Sequence, residues 1–400
     1  MSANTPPSVP NPAAPVPAAN IPAARAGAVL TIDLNAITAN YHSLTDRLGG
    51  VKPSAVVKAD AYGLGAGPVA ITLANAGCRV FFVAHLEEGI RLRHALNEAG
   101  DSNFVHAEIH ILGGLMPDSH EALDSARLIP VLGSLDDIHS WKQYCERLNR
   151  PLPCDIHADT GMARLGLPPG ELDKLESEPS RLEGLNVHFV LSHLARADEP
   201  DHAKNAEQLE AFQHVRQILP HGRASLANSS GIFLGSDYHF DLARPGAALY
   251  GIAPVPGQAN PMAQVIRLQG KIAQLRSVDT PQTVGYGSTH RVEGPARIAT
   301  VAVGYADGYL RSLSNKGTGY IGNIPVPVVG RVSMDLITLD VSDVPEHLCT
   351  VGTMIDLIGP NNPVDQLADE AGTIGYEILT SLGHRYHRVY TGGQKAGAQA

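Results

Sequence analysis

Ser54-Ala-Val-Val-Lys-Ala-Asp-Ala-Tyr-Gly-Leu-Gly65 runs from a short apolar stretch into a lysine, with Tyr62 four residues beyond it and glycines at 63, 65 and 67. A lysine at the C-terminal mouth of a buried strand stands where β/α barrels place their chemistry. Burial lowers an amine's pKa, and the neutral amine can form a Schiff base. A Val-Val-Lys tripeptide alone marks a strand end whose lysine reaches solvent, so the rest of the chain decides.

From residue 28 to about 260, short β-branched runs alternate with longer stretches of helical periodicity, the pattern of repeated β/α units. Strands are expected at 55–58, 80–84, 109–112, 128–132, 154–158, 184–192, 224–227 and 247–250. Helices are expected at 36–48, 86–99, 135–148 and 202–218, with Asn35, Ser134 and Asp201 as N-caps. Beyond about residue 262, runs such as Val265-Ile-Arg-Leu-Gln-Gly-Lys-Ile-Ala-Gln-Leu275 alternate with period two between glycine and proline punctuation. The expected fold is therefore α/β: an N-terminal (β/α)8 barrel over 28–262, then a smaller, mainly β C-terminal domain over 263–391. The Pro/Ala-rich residues 1–27 are expected to form a disordered tail without a signal peptide's apolar region, and 392–400 to fray.

At 400 residues, 44% hydrophobic and 18% charged, the chain can bury two substantial cores. A net charge of −10 argues against nucleic acid or an anionic membrane as partner, and no apolar run is long enough to span a bilayer. Cys78, Cys145, Cys154 and Cys349 are far apart and complete no zinc pattern. Reduced, buried thiols in a cytoplasmic protein are expected, with no metal.

Further motifs follow the expected strands. Asp159-Thr-Gly-Met-Ala-Arg-Leu-Gly166 follows the fifth, Leu191-Ser-His-Leu-Ala-Arg-Ala-Asp-Glu199 the sixth, and Asn228-Ser-Ser-Gly231 opens an expected helix after the seventh. Arg244-Pro-Gly-Ala247 precedes the eighth. Helix N-termini and glycine turns offer unpaired N–H groups suited to a phosphate. The second domain carries Val284-Gly-Tyr-Gly-Ser288, Val303-Gly-Tyr-Ala-Asp-Gly-Tyr-Leu-Arg311, Val329-Gly-Arg-Val-Ser-Met-Asp335 and Ile374-Gly-Tyr-Glu377.

Together these segments resemble the alanine racemases, pyridoxal-phosphate enzymes of fold-type III, over roughly residues 28 to 390. The resemblance implies that Lys58 carries pyridoxal 5'-phosphate as a Schiff base and that Arg164 bonds its phenolic oxygen. His193 would lie beside the ring, and Tyr62, Ser229, Gly246, Ala247 and Tyr376 would hold the phosphate. Arg244 would face the ring nitrogen, where a fixed positive charge disfavours protonation. Inverting a stereocentre through a planar carbanion needs a base on each face. The resemblance supplies Lys58 for one face and Tyr286, from a partner subunit, for the other. It also implies Arg164 and Met334 at the substrate, Tyr305 at the inner entrance, Arg311, Arg331 and Ile374 in an entry corridor, and a homodimer with shared active sites.

The chain departs from that pattern at His157, where many relatives carry a carbamylated lysine seven residues before the arginine. Histidine holds no lasting carbamate. The implied activity is interconversion of L- and D-alanine, supplying D-alanine for peptidoglycan. Alternatives are a racemase for serine or a broader range of amino acids, and a non-catalytic pyridoxal-phosphate-binding barrel. Amino-acid decarboxylation is disfavoured by Arg244 where decarboxylases of this architecture use an acid.

Overall fold

The computed structural model describes residues 24–219 and 221–393. The expected terminal tails therefore fall mostly outside the described residues, over 1–23 and 394–400. Seven parallel strands lie in sequence order: Ala55–Val56, Val80–Val83, Glu108–Ile111, Ile129–Leu132, Pro153–His157, Asn186–Leu191 and Arg223–Ser225. The eighth is Leu242–Ala243, which pairs parallel with Lys52–Pro53. On this side the Ser54 and Val56 N–H groups donate to Ala243 and Pro245 carbonyls at 2.9 Å each. On its other side Asp241 and Arg244 donate to Ala224 and Ala227 at 3.0 and 2.8 Å. The ring thus closes through a first strand interrupted at Ser54, its Lys52–Pro53 part paired with the eighth strand and its Ala55–Val56 part with the second, while Val56 N–H also reaches across to Pro245.

The strand expected at 247–250 is instead the 3-10 turn Ala247–Tyr250, and the eighth strand precedes it. All four of its residues are buried, and a short apolar run fits a buried turn as readily as a strand. The helix expected from Asn228-Ser-Ser-Gly231 is only the 3-10 turn Gly231–Phe233. Leu34–Arg47, Leu86–Glu98, Leu135–Leu148 and Ala203–Ile218 form close to the expected positions, while Ala66–Asn75, His120–Ser125 and Pro169–Ser177 complete the helical ring. Ser134 caps as expected, its Oγ accepting from Asp137 N–H at 3.1 Å. Asn35 and Asp201 do not cap: Asp33 Oδ1 accepts from Asn35 and Ala36 at 2.8 and 3.1 Å, and His202 Nδ1 accepts from Lys204 at 3.0 Å. In both cases the cap is one or two residues from the expected one, where extended backbone brings the acceptor over the first turn.

Inside the barrel His110 and Asp155 form a fully buried pair, Nδ1 to Oδ2 at 2.6 Å. Asp155 Oδ1 also accepts from Phe189 N–H at 3.1 Å, beside a register shift between the fifth and sixth strands. Burial alone would lower the His110 pKa, but Asp155 and Glu108 override it and hold the imidazole up at about 9.

The second domain is built around the long strand Ile266–Val278, which pairs antiparallel with Met354–Ile358 over its first half and with Ala296–Val301 over its second. The changeover falls at a bulge between Ile272 and Gln274. Ala28–Asp33 joins this sheet, antiparallel to Ile266–Val278 and parallel to His387–Thr391, rather than the barrel. Two helices, Val364–Ala371 and Gly375–Ser381, interrupt the β pattern, and the second reaches the barrel mouth. One continuous apolar core runs through both parts. The four cysteines are buried and free. Among the described residues no helix is long and apolar enough to cross a membrane.

Candidate active site

Lys58 leaves the first barrel strand into a backbone turn of unusual hand. Ala59, Asp60, Ala61 and Tyr62 all have φ between 52° and 56°, a left-handed conformation costing L-residues about 1–2 kcal/mol each. Surrounding hydrogen bonds hold it. Ala61 and Gly63 N–H donate to Val57 and Ala59 carbonyls at 2.9 and 2.7 Å, and Asp60 Oδ1 accepts from Ala66 at 2.7 Å. From the C-terminal strand, Arg388 and Tyr390 donate to the Gly63 and Leu64 carbonyls at 2.6 and 2.9 Å. A Cβ at Gly63 would lie 2.6 Å from the Leu379 carbonyl oxygen, so glycine is required for that approach.

The turn delivers Lys58 and Tyr62 into a cavity of about 680 Å³ at the barrel mouth. Arg164, His193, Ser229, Arg244, Gly246 and Ala247 line it from the barrel, and Ile374 and Tyr376 from the second domain. Burial lowers the Lys58 pKa, Arg164 adds to the effect, and Glu88 opposes it. His193 is held far below the usual histidine range by burial and then by Arg244, Arg164 and Lys58, so its imidazole stays neutral. His157 is lowered to about 4 by burial and by Arg244.

Arg244 is buried, donating Nη1 to Ser225 Oγ and Nη2 to the Ser192 carbonyl. Burial lowers it to about 10, partly offset by Asp155, so it remains a cation at neutral pH. Ser229 Oγ accepts from Gly246 and Ala248 N–H at 2.9 and 3.2 Å. Two backbone N–H groups thus hold the Ser229 hydroxyl as their acceptor and leave its own O–H to donate to an anion. A Cβ at position 246 would lie 2.4 Å from Tyr62 Oη, so the missing side chain is what admits the phenol there. Hydroxyl donors, a desolvated lysine and a buried cation fit a phosphate-bearing carbonyl cofactor.

Five expected site residues stand elsewhere. Tyr286, Tyr305, Met334, Arg311 and Arg331 do not line this cavity. Tyr286 is 72%, Met334 54% and Tyr305 42% exposed. They share one face of the β domain: Tyr305 and Ala306 N–H donate to the Ser333 and Met334 carbonyls at 3.0 Å, and Gly287 lies against the Arg331 guanidinium. Arg385 braces this face, bonding Asp307 at 2.6 Å and Asp335 at 2.7 Å. Sequence reasoning also passed over Glu88, three residues after the helix cap His85; a carboxylate at that spacing is the one signal that could have found it.

A β/α barrel whose desolvated strand-end lysine shares one cavity with the hydroxyls of Tyr62, Ser229 and Tyr376, joined to a β domain that contributes to the same mouth, defines a lysine-dependent barrel enzyme. Known proteins narrow the class. The alanine racemase N-terminal domain profile matches residues 32–254 and the C-terminal domain profile residues 265–390. An alanine racemase of Rhodospirillum rubrum is 52% identical over 94% of this chain and 99% of its own length. A catabolic alanine racemase of Mesorhizobium japonicum is 48% identical over 92% of this chain and 94% of its own length. The crystal structure of the Bartonella henselae alanine racemase with covalently bound pyridoxal phosphate superposes with a TM-score of 0.86 at 42% identity, covering 91% of this chain and 99% of that one. The chain belongs to the alanine racemase family.

Proposed function

We propose that this enzyme interconverts L-alanine and D-alanine with pyridoxal 5'-phosphate held at Lys58. The observation that carries the reading is the meeting of desolvated Lys58, the Ser229–Gly246–Tyr62 cradle and buried Arg244 in one cavity. The names of its relatives and the cofactor of the Bartonella henselae protein support it.

Lys58 would hold the cofactor's carbonyl carbon. Tyr62, Ser229, Tyr376 and the backbone at Gly246 and Ala247 would hold its phosphate, His193 would lie beside its ring, Arg164 would meet its phenolic oxygen and Arg244 its ring nitrogen. Bound there, the group supplies an electron sink that acidifies the substrate's α-hydrogen. Arg244 stays charged at working pH and so disfavours a proton on the ring nitrogen. Lys58 Nζ handles the α-proton on one face of the substrate, the D-alanine proton by resemblance. Tyr286 Oη handles the other, and because it lies outside the cavity lining of its own chain, a second copy supplies it in a homodimer. Tyr305 and Met334 arrive with it, Met334 N–H meeting the substrate carboxylate with Arg164, while Arg311, Arg331 and Ile374 border the entrance.

A racemisation assay across a panel of amino acids tests the activity. Alanine is expected to turn over fastest; failure with alanine, or preference for serine, overturns the named substrate. We place the enzyme in the cytoplasm, supplying D-alanine for peptidoglycan. Deleting its gene should create a D-alanine requirement, and unaided growth would favour the degradative role named for the Mesorhizobium japonicum relative.

A further inference from the structure

The strained turn after Lys58 is held from the side by a carboxylate belonging to the next β/α unit. Glu88 is the third residue of the helix Leu86–Glu98. Its Oε1 accepts from Ala59 N–H at 2.7 Å, and its Oε2 accepts from Ala84 and His85 N–H at 2.8 and 3.1 Å. One side chain thereby joins the mouths of the first and second barrel strands through charge-assisted bonds. The bond to Ala59 falls on the first of the four left-handed residues, directly after Lys58. Such a conformation persists only where its surroundings over-determine it. Glu88 is not among the side chains lining the cavity, so it reaches the site through the backbone.

We propose that Glu88 is a positioning residue for Lys58: by tying Ala59 N–H to the neighbouring barrel loop, it sets the direction from which Lys58 Nζ meets the substrate. This rests on the reading of Lys58 as the base for one face. Glu88 is also the anion that counters the lowering of the Lys58 pKa, so its loss changes both the amine's aim and its basicity.

The test uses the cofactor-loaded enzyme and its Glu88→Ala and Glu88→Gln variants in deuterium oxide. Exchange of the α-hydrogen of D-alanine and of L-alanine is followed separately, beside KM, bound-cofactor absorbance and unfolding midpoint. Glu88→Ala is expected to slow D-alanine exchange by roughly ten- to a hundredfold, the penalty of a small misplacement. L-alanine exchange should fall far less, with KM and bound cofactor little changed. Glu88→Gln keeps one accepting oxygen and should recover part of the loss. Equal slowing with both enantiomers, no slowing, or parallel loss of cofactor in both variants would overturn the proposal. If the alanine variant does not accumulate, Glu88→Gln decides alone by the same D-selective criterion. Lys58→Ala serves as the control: D-alanine exchange surviving there would sink the reading of Lys58 itself, whereas its loss there with no D-selective effect at Glu88 would sink only the positioning role.

Discussion

The barrel mouth and the exposed face of the β domain carry the two halves of the expected site in opposite physical settings. At the mouth, burial displaces Lys58, His193, His157 and Arg244 from their ordinary pKa values, and hydrogen bonds hold a strained turn in place. On the β face, Tyr286, Tyr305, Met334 and Leu336 stand in solvent, a cluster of large side chains of the kind that marks a contact surface. The mouth is pre-organised within one chain, whereas the β face is open to solvent in one chain and, in the proposed dimer, gains its chemical environment from a second copy. Substitutions at the mouth should therefore register in a single chain's stability and cofactor binding, and those on the face only in turnover.

Substitutions at four positions test that contrast. Lys58→Ala should abolish the absorbance of lysine-bound cofactor and lower racemisation by about 10⁴-fold or more; an unchanged spectrum would remove the cofactor from the mouth. Beneath the mouth, Asp155→Ala strands the buried His110 and interrupts the Phe189 bond. Breaking such a pair should cost about 3–5 kcal/mol in urea unfolding, and a loss under 1 kcal/mol would show that the barrel interior relaxes around it. Tyr286→Phe should lower racemisation by roughly a hundredfold while D-alanine still exchanges its α-hydrogen with solvent. Because Tyr286 is 72% exposed in a single chain, the same change should leave that chain's own stability within about 0.5 kcal/mol. Equal loss of racemisation and exchange would undo the division of labour.

The smallest effect concerns pH. His157 titrates near 4 in the folded chain against an ordinary 6.5, so between those values the unfolded state binds more protons. Stability from this group is complete above 6.5 and is lost as pH falls toward 4. His110 acts oppositely, its contribution complete below 6.5 and lost as pH rises through about 9. His157→Gln should flatten the acid limb of unfolding against pH and leave the alkaline limb alone; a parallel change in both limbs would contradict the assignment.

Most of the barrel was legible because its signals are local. Strand-end motifs, β-branched runs and the Ser134 cap each depend on neighbours within a few residues. The eighth strand was misplaced because Ala-Ala-Leu-Tyr is apolar for burial in a turn, and its true residues, Leu242–Ala243, are too few to show a period. Ala28–Asp33 alternates like any strand, and only its partners some 240 and 360 residues later decide its sheet. Within the site, Lys58 and its companions were legible as motifs. The left-handed turn was not, since Ala-Asp-Ala-Tyr carries no glycine to announce it and the bonds that stabilise it come from Glu88, Arg388 and Tyr390.

In the proposed dimer a working site combines the mouth of one chain with the β face of another. Mixing inactive Lys58→Ala and Tyr286→Phe chains under conditions that exchange subunits tests it directly. If Tyr286 acts across the interface, each mixed dimer has one site with both residues intact, and an equal mixture should recover about a quarter of the activity of the unaltered enzyme by random pairing. If Tyr286 serves the lysine of its own chain, no site in any dimer is complete, and activity staying at the level of the two parents would rule out a site shared between chains.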